Sequence, residues 1–159
     1  MRNMNKASAG LVAVAVLCAP GGVQGQSIEF FPVTGPGAET LPFSDAVRVG
    51  NLLFLSGQLG TTGDGLVPGG IAAETRQTLE NIRASLERHG SSLERVVKCT
   101  VFLADMAEWG RMNEVYVTFF GENLPARSAI GTSGLALGAR VEIECIAVVA
   151  GSSGEEVND

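Results

Sequence analysis

The sequence predicts an α+β domain in which helices cover one face of a mixed β-sheet. Three observations lead to this fold class. Apolar residues recur with helical spacing over residues 71–89, apolar and polar residues alternate over residues 96–103, and two further strand-like segments follow at residues 127–131 and 140–149. The predicted order is therefore strands, helix, strand, helix, strands.

The segment before the first helix carries strand and turn signals. Residues 27–33 predict a strand that Pro32 confines to a sheet edge or a strand end, because proline cannot donate to the ladder. Residues 46–49 and 52–56 flank Gly50-Asn51, which is a strong hairpin signal. The segments 34–44 and 57–70 are rich in glycine and are predicted as loops.

The helix predicted over residues 71–89 is the clearest element of the chain. Leu79, Ile82 and Leu86 share one face, and charged residues occupy the other. Gly90 is expected to end the helix, because glycine readily adopts the left-handed conformation of a helix C-terminus.

A second helix is predicted after the strand 96–103. Asp105 is expected to cap it, with Glu108 as the partner in a capping box. An apolar stripe follows, and core packing is the preferred interpretation of its members, Trp109, Met112, Tyr116, Phe119 and Phe120. Asn113 lies beside this stripe, where it either reaches a pocket or is solvated.

The last two strands are expected to form a hairpin through residues 132–139. A centred hairpin would place Arg127 opposite Glu144 and diagonal to Glu142, with all three side chains on one face. An arginine there would bind a carboxylate in a bidentate manner, and a nearby glutamate would hold or activate water. The alternative is a surface arginine–glutamate pair that contributes little to stability.

Residues 1–25 are predicted to be a cleaved signal peptide. Arg2 and Lys6 precede an apolar run at residues 11–19, and small residues precede a cleavage site before Gln26. The run is too short to span a bilayer. We therefore expect an exported protein, periplasmic or secreted, whose residues 26–159 form one domain; a lipid anchor at Cys18 is the less favoured alternative.

The charge of the chain argues against polyanionic partners. The formal net charge is −6, and the predicted leader holds two of the eleven basic residues, so the mature chain is more acidic still. Nucleic acids and anionic membranes both prefer basic surfaces. Neither a nucleic acid nor a membrane is therefore expected as a partner.

The cysteines and the histidine do not predict a reactive or metal-binding site. Cys99 and Cys145 lie in apolar strand-like runs, where they are either buried thiols or, in an exported protein, a disulfide pair. His89 is the one histidine of the chain, and it precedes Gly90 as a helix C-terminal cation. No metal site is predicted.

A series of short segments resembles the RidA (YjgF/YER057c-like) family of enamine/imine deaminases. The most specific are Pro125-Ala126-Arg127-Ser128 and Glu142-Ile143-Glu144, with fifteen residues from Arg127 to Glu142. The others include Pro42-Phe43-Ser44-Asp45, Leu55-Ser56-Gly57-Gln58, Val97-Lys98-Cys99-Thr100-Val101-Phe102-Leu103 and Asn113-Glu114-Val115-Tyr116. The resemblance implies a single chorismate-mutase-like α+β domain, a homotrimer with a ligand pocket at each subunit interface, and no cofactor.

The resemblance also implies an activity and a set of site residues. Reactive enamines and imines, such as 2-aminoacrylate, would be hydrolysed to 2-keto acids and ammonia. Arg127 would bind the substrate carboxylate and Glu142 would position the attacking water, with Glu144 as the reserve candidate. Ser56 and Asn113 would lie near the pocket, and the backbone around Ala129 would hydrogen-bond the ligand.

Two positions depart from the pattern of the family. Phe43 stands where archetypal members have a tyrosine, and Ala129 stands where many have a cysteine, so a thiol nucleophile is excluded there. These departures keep a second function open, that of a non-catalytic trimeric binding protein for small carboxylates such as keto acids. A nuclease is disfavoured by the acidic charge and the single histidine.

Overall fold

The computed structural model describes residues 26–35 and 38–149. The predicted signal peptide therefore lies outside the described residues. The described residues form nine strands and two α-helices, in chain order β1 Ile28–Pro32, β2 Ser44–Val49, β3 Leu52–Leu55, β4 Gln58–Leu59, β5 Thr61–Thr62, β6 Gly65–Leu66, α1 Gly70–Arg88, β7 Val96–Leu103, α2 Trp109–Tyr116, β8 Ala126–Gly131 and β9 Val141–Val148. Short 3-10 turns lie at residues 38–40, 93–95, 106–108, 117–119 and 136–138.

Seven strands form one mixed sheet. Its order is β1-β2-β3-β9-β7-β8, and β4 also pairs with β9. β7 and β8 are parallel, while the other neighbouring pairs of this sheet are antiparallel. α1 packs against β9, β4 and α2, and the buried residues of both helices share one core with the strands. The predicted α+β class, with helices on one face of a mixed sheet, is confirmed.

Two turn predictions are confirmed by the backbone. Gly50 has a φ of 60° and occupies the two-residue turn between β2 and β3, where Val49 pairs with Leu52. Gly90 has a φ of 78° just after α1, and the amide of Ser91 donates to the carbonyl of Leu86 at 2.8 Å. β1 lies at the sheet edge, as Pro32 predicted.

The glycine-rich segment 57–70 has more structure than the predicted loop. β4 adds to β9, and β5 and β6 form a small separate hairpin. The side-chain amide of Asn81 in α1 donates to the carbonyls of Leu59 and Thr61, each at 2.9 Å. Two-residue strands carry no alternating pattern, which is why the sequence did not predict them.

The predicted hairpin between the last two strands is wrong. β8 pairs in parallel with β7, and β9 lies on the other side of β7. Consecutive β7, α2 and β8 form a strand–helix–strand crossover, and such a connection favours parallel strands. Cys99 of β7 therefore lies between Arg127 and Cys145, and Arg127 does not lie opposite Glu144.

The start of the second helix also differs from the prediction. Asp105 does act as a cap, since its Oδ1 accepts a hydrogen bond from the amide of Ala107 at 2.9 Å. Glu108 is no capping-box partner, because its Oε1 accepts from Arg140 Nη1 at 2.7 Å. Met112, Tyr116 and Phe120 are buried as predicted, whereas Trp109 is 43% exposed.

Candidate functional site

Arg127 lies on the helix-covered face of the sheet, against the aromatic side chains of α2. Its guanidinium carbon is 4.6 Å from the centroid of the Tyr116 ring and 6.0 Å from that of Trp109. Cys99, which pairs with Arg127 across β7 and β8, is fully buried on the same face. The parallel pairing of β8 thus fixes the face on which Arg127 projects.

A pocket of about 330 Å³ opens beside the Arg127 side chain. It is lined by Asn113, Tyr116, Val117, Leu124, Pro125 and Arg127. Within the described ranges, Arg127 has no carboxylate within ion-pair distance, unlike Arg83, Arg88 and Arg140. The pocket therefore combines largely apolar walls with one positive charge whose donors are available to an anion.

Two polar atoms in the wall of this pocket are buried and have no hydrogen-bond partner in the described part of the chain. They are Oδ1 of Asn113 and the hydroxyl of Tyr116, which lie about one helical turn apart. Burial raises the pKa of Tyr116 to about 12, and the charge of Arg127 offsets part of that shift. The phenol is therefore neutral at ordinary pH.

Glu142 lies on the opposite, open face of the sheet. Its β9 neighbours Val141 and Ile143 are fully buried toward the helices, so the alternation of the strand directs Glu142 away from them. Burial raises the pKa of the Glu142 carboxyl above its ordinary value, and the Glu144 carboxylate raises it further. A carboxyl with a raised pKa accepts a proton more readily than an exposed one, as a general base requires.

Gly57 provides the space that the Glu142 carboxylate occupies. A Cβ atom built on Gly57 would overlap Glu142 Oε1 and would lie 2.8 Å from Cδ. Gly57 immediately precedes β4, which pairs with β9 in a register that places Leu59 opposite Glu142. Residue 57 therefore has to lack a side chain for the carboxylate to lie where it does.

Ser56 directly precedes Gly57 and is hydrogen-bonded to the start of β2, which Phe43 precedes. Ser56 Oγ donates to the carbonyl of Ser44 at 2.6 Å, and its amide donates to the carbonyl of Asp45 at 3.0 Å. Phe43 directly precedes Ser44 and is 53% exposed. The hydroxyl proton of Ser56 is thus engaged in a hydrogen bond to the backbone, and the hydroxyl oxygen can still accept a hydrogen bond from a ligand.

The predicted site residues therefore form two separate groups within one chain. Arg127, Asn113 and Ala129 belong to the helix-covered face, where Ala129 packs against the core. Phe43, Ser56 and Glu142 belong to the other group. Glu144 also faces the open side, where it lines a small depression with Lys98 and Thr100. The expectation that Arg127 and both glutamates share a face is wrong, because the register aligns Arg127 with Cys99 and Cys145, whose side chains face the helices.

Sequence reasoning missed the contributions of two residues. The apolar stripe predicts packing for Tyr116, and no periodicity distinguishes a ring that packs from a ring that contacts an arginine. The sequence predicts only a loop at Gly57, although its position directly after Ser56 in the Leu55-Ser56-Gly57-Gln58 segment is a usable signal.

The question left open for the two cysteines is answered by a disulfide. Cys99 and Cys145 are direct cross-strand partners of β7 and β9, with their Cα atoms 4.2 Å apart, and they are bonded to each other. Both are buried. Neither sulfur is available as a nucleophile in this state.

None of the helices in the ranges 26–35 and 38–149 combines the length and the apolar character that a membrane span requires.

Comparison with known proteins identifies relatives over most of the described chain. A family model described as Endoribonuclease L-PSP matches residues 36–149. The chain is 46% identical over 109 residues to the 2-iminobutanoate/2-iminopropanoate deaminase of Mus musculus, which covers 67% of this chain and 81% of the mouse protein. It is 49% identical over 109 residues to a RutC family protein of Pyrococcus horikoshii, covering 67% of this chain and 86% of that protein.

Solved structures agree with the sequence comparison. The crystal structure of RidA from the Antarctic bacterium Psychrobacter sp. superposes with a TM-score of 0.66 at 37% sequence identity. The match covers 79% of this chain and 99% of that structure.

Proposed function

The chain belongs to the RidA (YjgF/YER057c-like) family, and from that premise we propose that it hydrolyses reactive imines of 2-amino acids to 2-keto acids and ammonia. The observation that carries the proposal is Arg127, whose guanidinium lies beside a pocket and has no carboxylate partner among the described residues. Relatives at about 45% identity are named as deaminases of 2-iminobutanoate and 2-iminopropanoate, and we extend that activity to this chain.

In the proposed reaction, Arg127 binds the substrate carboxylate through two parallel hydrogen bonds. Glu142 accepts a proton from water as the oxygen attacks the imine carbon. Glu142 then passes this proton to the imine nitrogen, which gives a carbinolamine. The hydroxyl proton of the carbinolamine is transferred to its amino nitrogen, and the carbon–nitrogen bond breaks to release ammonia as the carbonyl of the 2-keto acid forms. An enamine substrate first takes a proton on carbon and becomes the imine.

The two groups of site residues support a site made by two subunits. Because Arg127 and Glu142 lie on opposite faces of one sheet, one chain does not bring them together, whereas a neighbouring copy would supply the missing half. The open face also carries exposed apolar side chains, Phe30, Phe54 and Ile130 among them. Such a surface favours burial against another copy, and we propose the homotrimer that the resemblance implies.

The location we propose is outside the cytoplasm. The predicted signal peptide supports export, and the buried disulfide between Cys99 and Cys145 is typical of proteins that fold in an oxidising compartment. Imines released there would differ in origin from those that pyridoxal-phosphate enzymes release in the cytoplasm.

The proposal is tested by an imine-hydrolysis assay on mature protein. An amino-acid oxidase generates the imino acid in situ, and keto-acid formation is followed with and without the protein. We expect Arg127→Ala to raise KM by about 10- to 150-fold, because charged hydrogen bonds are lost. We expect Glu142→Gln to lower kcat by about 100-fold or more.

Two exposed residues of α2 serve as matched controls. Arg111→Ala removes a positive charge and Glu114→Gln removes a negative charge, both outside the site. Each variant should therefore have the KM and the kcat of the wild type. Wild-type protein that does not accelerate hydrolysis above buffer would contradict the deaminase.

The second candidate is a binding protein for small carboxylates, and the observation that favours it is Phe43, which lacks the hydroxyl of archetypal members. It predicts saturable binding of 2-ketobutyrate that Arg127→Ala abolishes, without any turnover. Turnover by wild-type protein excludes it.

A further inference from the structure

The ring of Tyr116 forms a fixed surface beneath the Arg127 guanidinium. Tyr116 is 2% exposed, and its ring packs against Phe120 with centroids 4.7 Å apart. The guanidinium carbon lies 4.6 Å from the ring centroid, within the range of a cation–π interaction. Because the ring is packed in the core, its position does not depend on the arginine. The ring therefore restricts the conformation of the Arg127 side chain that stacks on it.

No other side chain in the described part of the chain fixes Arg127 by hydrogen bonds or ion pairing. Arg83, Arg88 and Arg140 each reach a carboxylate, whereas the recorded partners of Arg127 are the faces of Tyr116 and Trp109. An arginine side chain has many rotamers, and ordering it on ligand binding opposes the affinity gained. Stacking on an aromatic face orders the planar group while leaving its in-plane donors available to a ligand.

We propose that Tyr116 is a positioning residue of this site, and that its ring orients the Arg127 guanidinium toward the carboxylate in the pocket. The proposal rests on the proposed function in that Arg127 binds a ligand carboxylate. The hydroxyl has no part in it, because that atom is buried without a hydrogen-bond partner among the described residues. Removing an unsatisfied buried hydroxyl should be neutral or stabilising.

Three variants separate the ring from the hydroxyl and from general packing. Tyr116→Phe keeps the aromatic face and removes the hydroxyl. Tyr116→Leu removes the face and keeps apolar bulk in the core. Phe31→Leu is the matched control, because Phe31 also packs against the core but belongs to β1, at the sheet edge opposite β8.

Calorimetric titration with 2-ketobutyrate gives the first readout. We expect Tyr116→Leu to raise the Kd by about 2- to 30-fold, the range of a cation–π interaction. Phe31→Leu should bind like the wild type, and Tyr116→Phe, which keeps the ring, should raise the Kd less than Tyr116→Leu does. In an Arg127→Ala background, Tyr116→Leu should have no further effect, since the ring acts through the guanidinium.

The Arg127 Nε–Hε signal in a nitrogen–proton NMR spectrum gives a readout that needs no ligand. Ring current should displace this proton upfield in wild type and in Tyr116→Phe, and the displacement should disappear in Tyr116→Leu. If wild-type binding does not depend on Arg127, the proposed function fails while this signal still tests the orienting ring. The inference is overturned if the signal is unchanged in Tyr116→Leu, or if Phe31→Leu raises the Kd as much as Tyr116→Leu does.

Discussion

At the scale of single residues, the candidate chemistry depends on Arg127 and Glu142, whose surroundings differ. Arg127 lies over an aromatic ring and beside a pocket, and no carboxylate of the described residues is within ion-pair distance of it. Glu142 lies over a glycine and beside another carboxylate, so that burial and repulsion both favour its protonated form. The properties that each group would need for its proposed role are thus set by its neighbours.

Gly57→Ala is expected to impair the Glu142 group with little effect on folding. The added Cβ would overlap the carboxylate, and the flexible side chain would move aside at small cost in stability. A displacement of about 1 Å at a catalytic group lowers the rate by up to about 100-fold, so kcat should fall while the unfolding midpoint changes little. Gly63→Ala is the control, since its Cβ meets nothing within 4 Å. Full activity in Gly57→Ala would show that the observed position of the carboxylate is not required.

Glu144→Gln is expected to shift the acidic limb of the pH–rate profile. In the proposed reaction Glu142 acts as a carboxylate, so activity should be lost as the pH falls through the raised pKa of that group. Removing the neighbouring negative charge lowers the pKa of Glu142 toward its ordinary value, and the limb should move to lower pH. The profile of kcat/KM measures this shift, with the exposed Glu87→Gln as control. A limb that stays in place would mean that a group other than Glu142 controls it.

At the scale of elements, the central strand β7 connects the two groups. Its residues pair with β8, which carries Arg127, and with β9, which carries Glu142, and the disulfide between Cys99 and Cys145 joins β7 to β9. The relative position of the two strands is therefore held by the backbone ladder and by a covalent bond. Asp45 of β2 further ties the sheet to α1, accepting hydrogen bonds from Ser85 and Arg88 and contacting His89 Nε2 at 2.8 Å.

Loss of the disulfide is expected to lower the free energy of unfolding. Cys99 and Cys145 are 46 residues apart in sequence, and a cross-link of this kind typically contributes about 2–4 kcal/mol. The double variant Cys99→Ala/Cys145→Ala should therefore unfold at a lower urea concentration than the oxidised wild type, measured at one protein concentration. The wild type can also be reduced by denaturing it in the presence of a reductant before the measurement. If the oxidised and the reduced wild type unfold at the same urea concentration, the disulfide does not contribute to stability.

Individual elements were better predicted from the sequence than their neighbours in the sheet were. Helical spacing identified α1 to within a residue at each end, and alternation identified β7 at both ends. Alternation does not reveal which strand lies beside which, so the hairpin of β8 and β9 was wrong. The alternation in β7 is interrupted at Val97, which is 46% exposed beside an irregularity between Val96 and Lys98.

The candidate site was predictable only in part, for the same physical reason. Short segments shared with a known family predicted Arg127 and Glu142 as site residues, whereas the face on which each side chain lies depends on the strand partners and their register. Because β8 was predicted to pair with β9, the predicted register put Arg127 on the wrong face of the sheet. Contacts between distant segments, such as Gly57 with Glu142 and Tyr116 with Arg127, leave no periodic trace in the sequence.

At the scale of the whole molecule, one chain presents two half-sites and an apolar open face. We infer that assembly buries the face and completes the site, so activity and oligomeric state should be linked. The acidic charge of −6 leaves Arg127 as a local positive site for small anions in an otherwise negative molecule.

Subunit mixing tests the shared site most directly. Arg127→Ala and Glu142→Ala proteins, each expected to be nearly inactive alone at a substrate concentration below the wild-type KM, are unfolded together in equal amounts and refolded in the presence of an oxidant, with each variant refolded alone as the control. In a random cyclic trimer, about one quarter of the interfaces would join an intact Arg127 to an intact Glu142. The mixture should therefore recover about one quarter of wild-type imine hydrolysis. A mixture that assembles but remains as inactive as its parents would contradict a site shared between subunits.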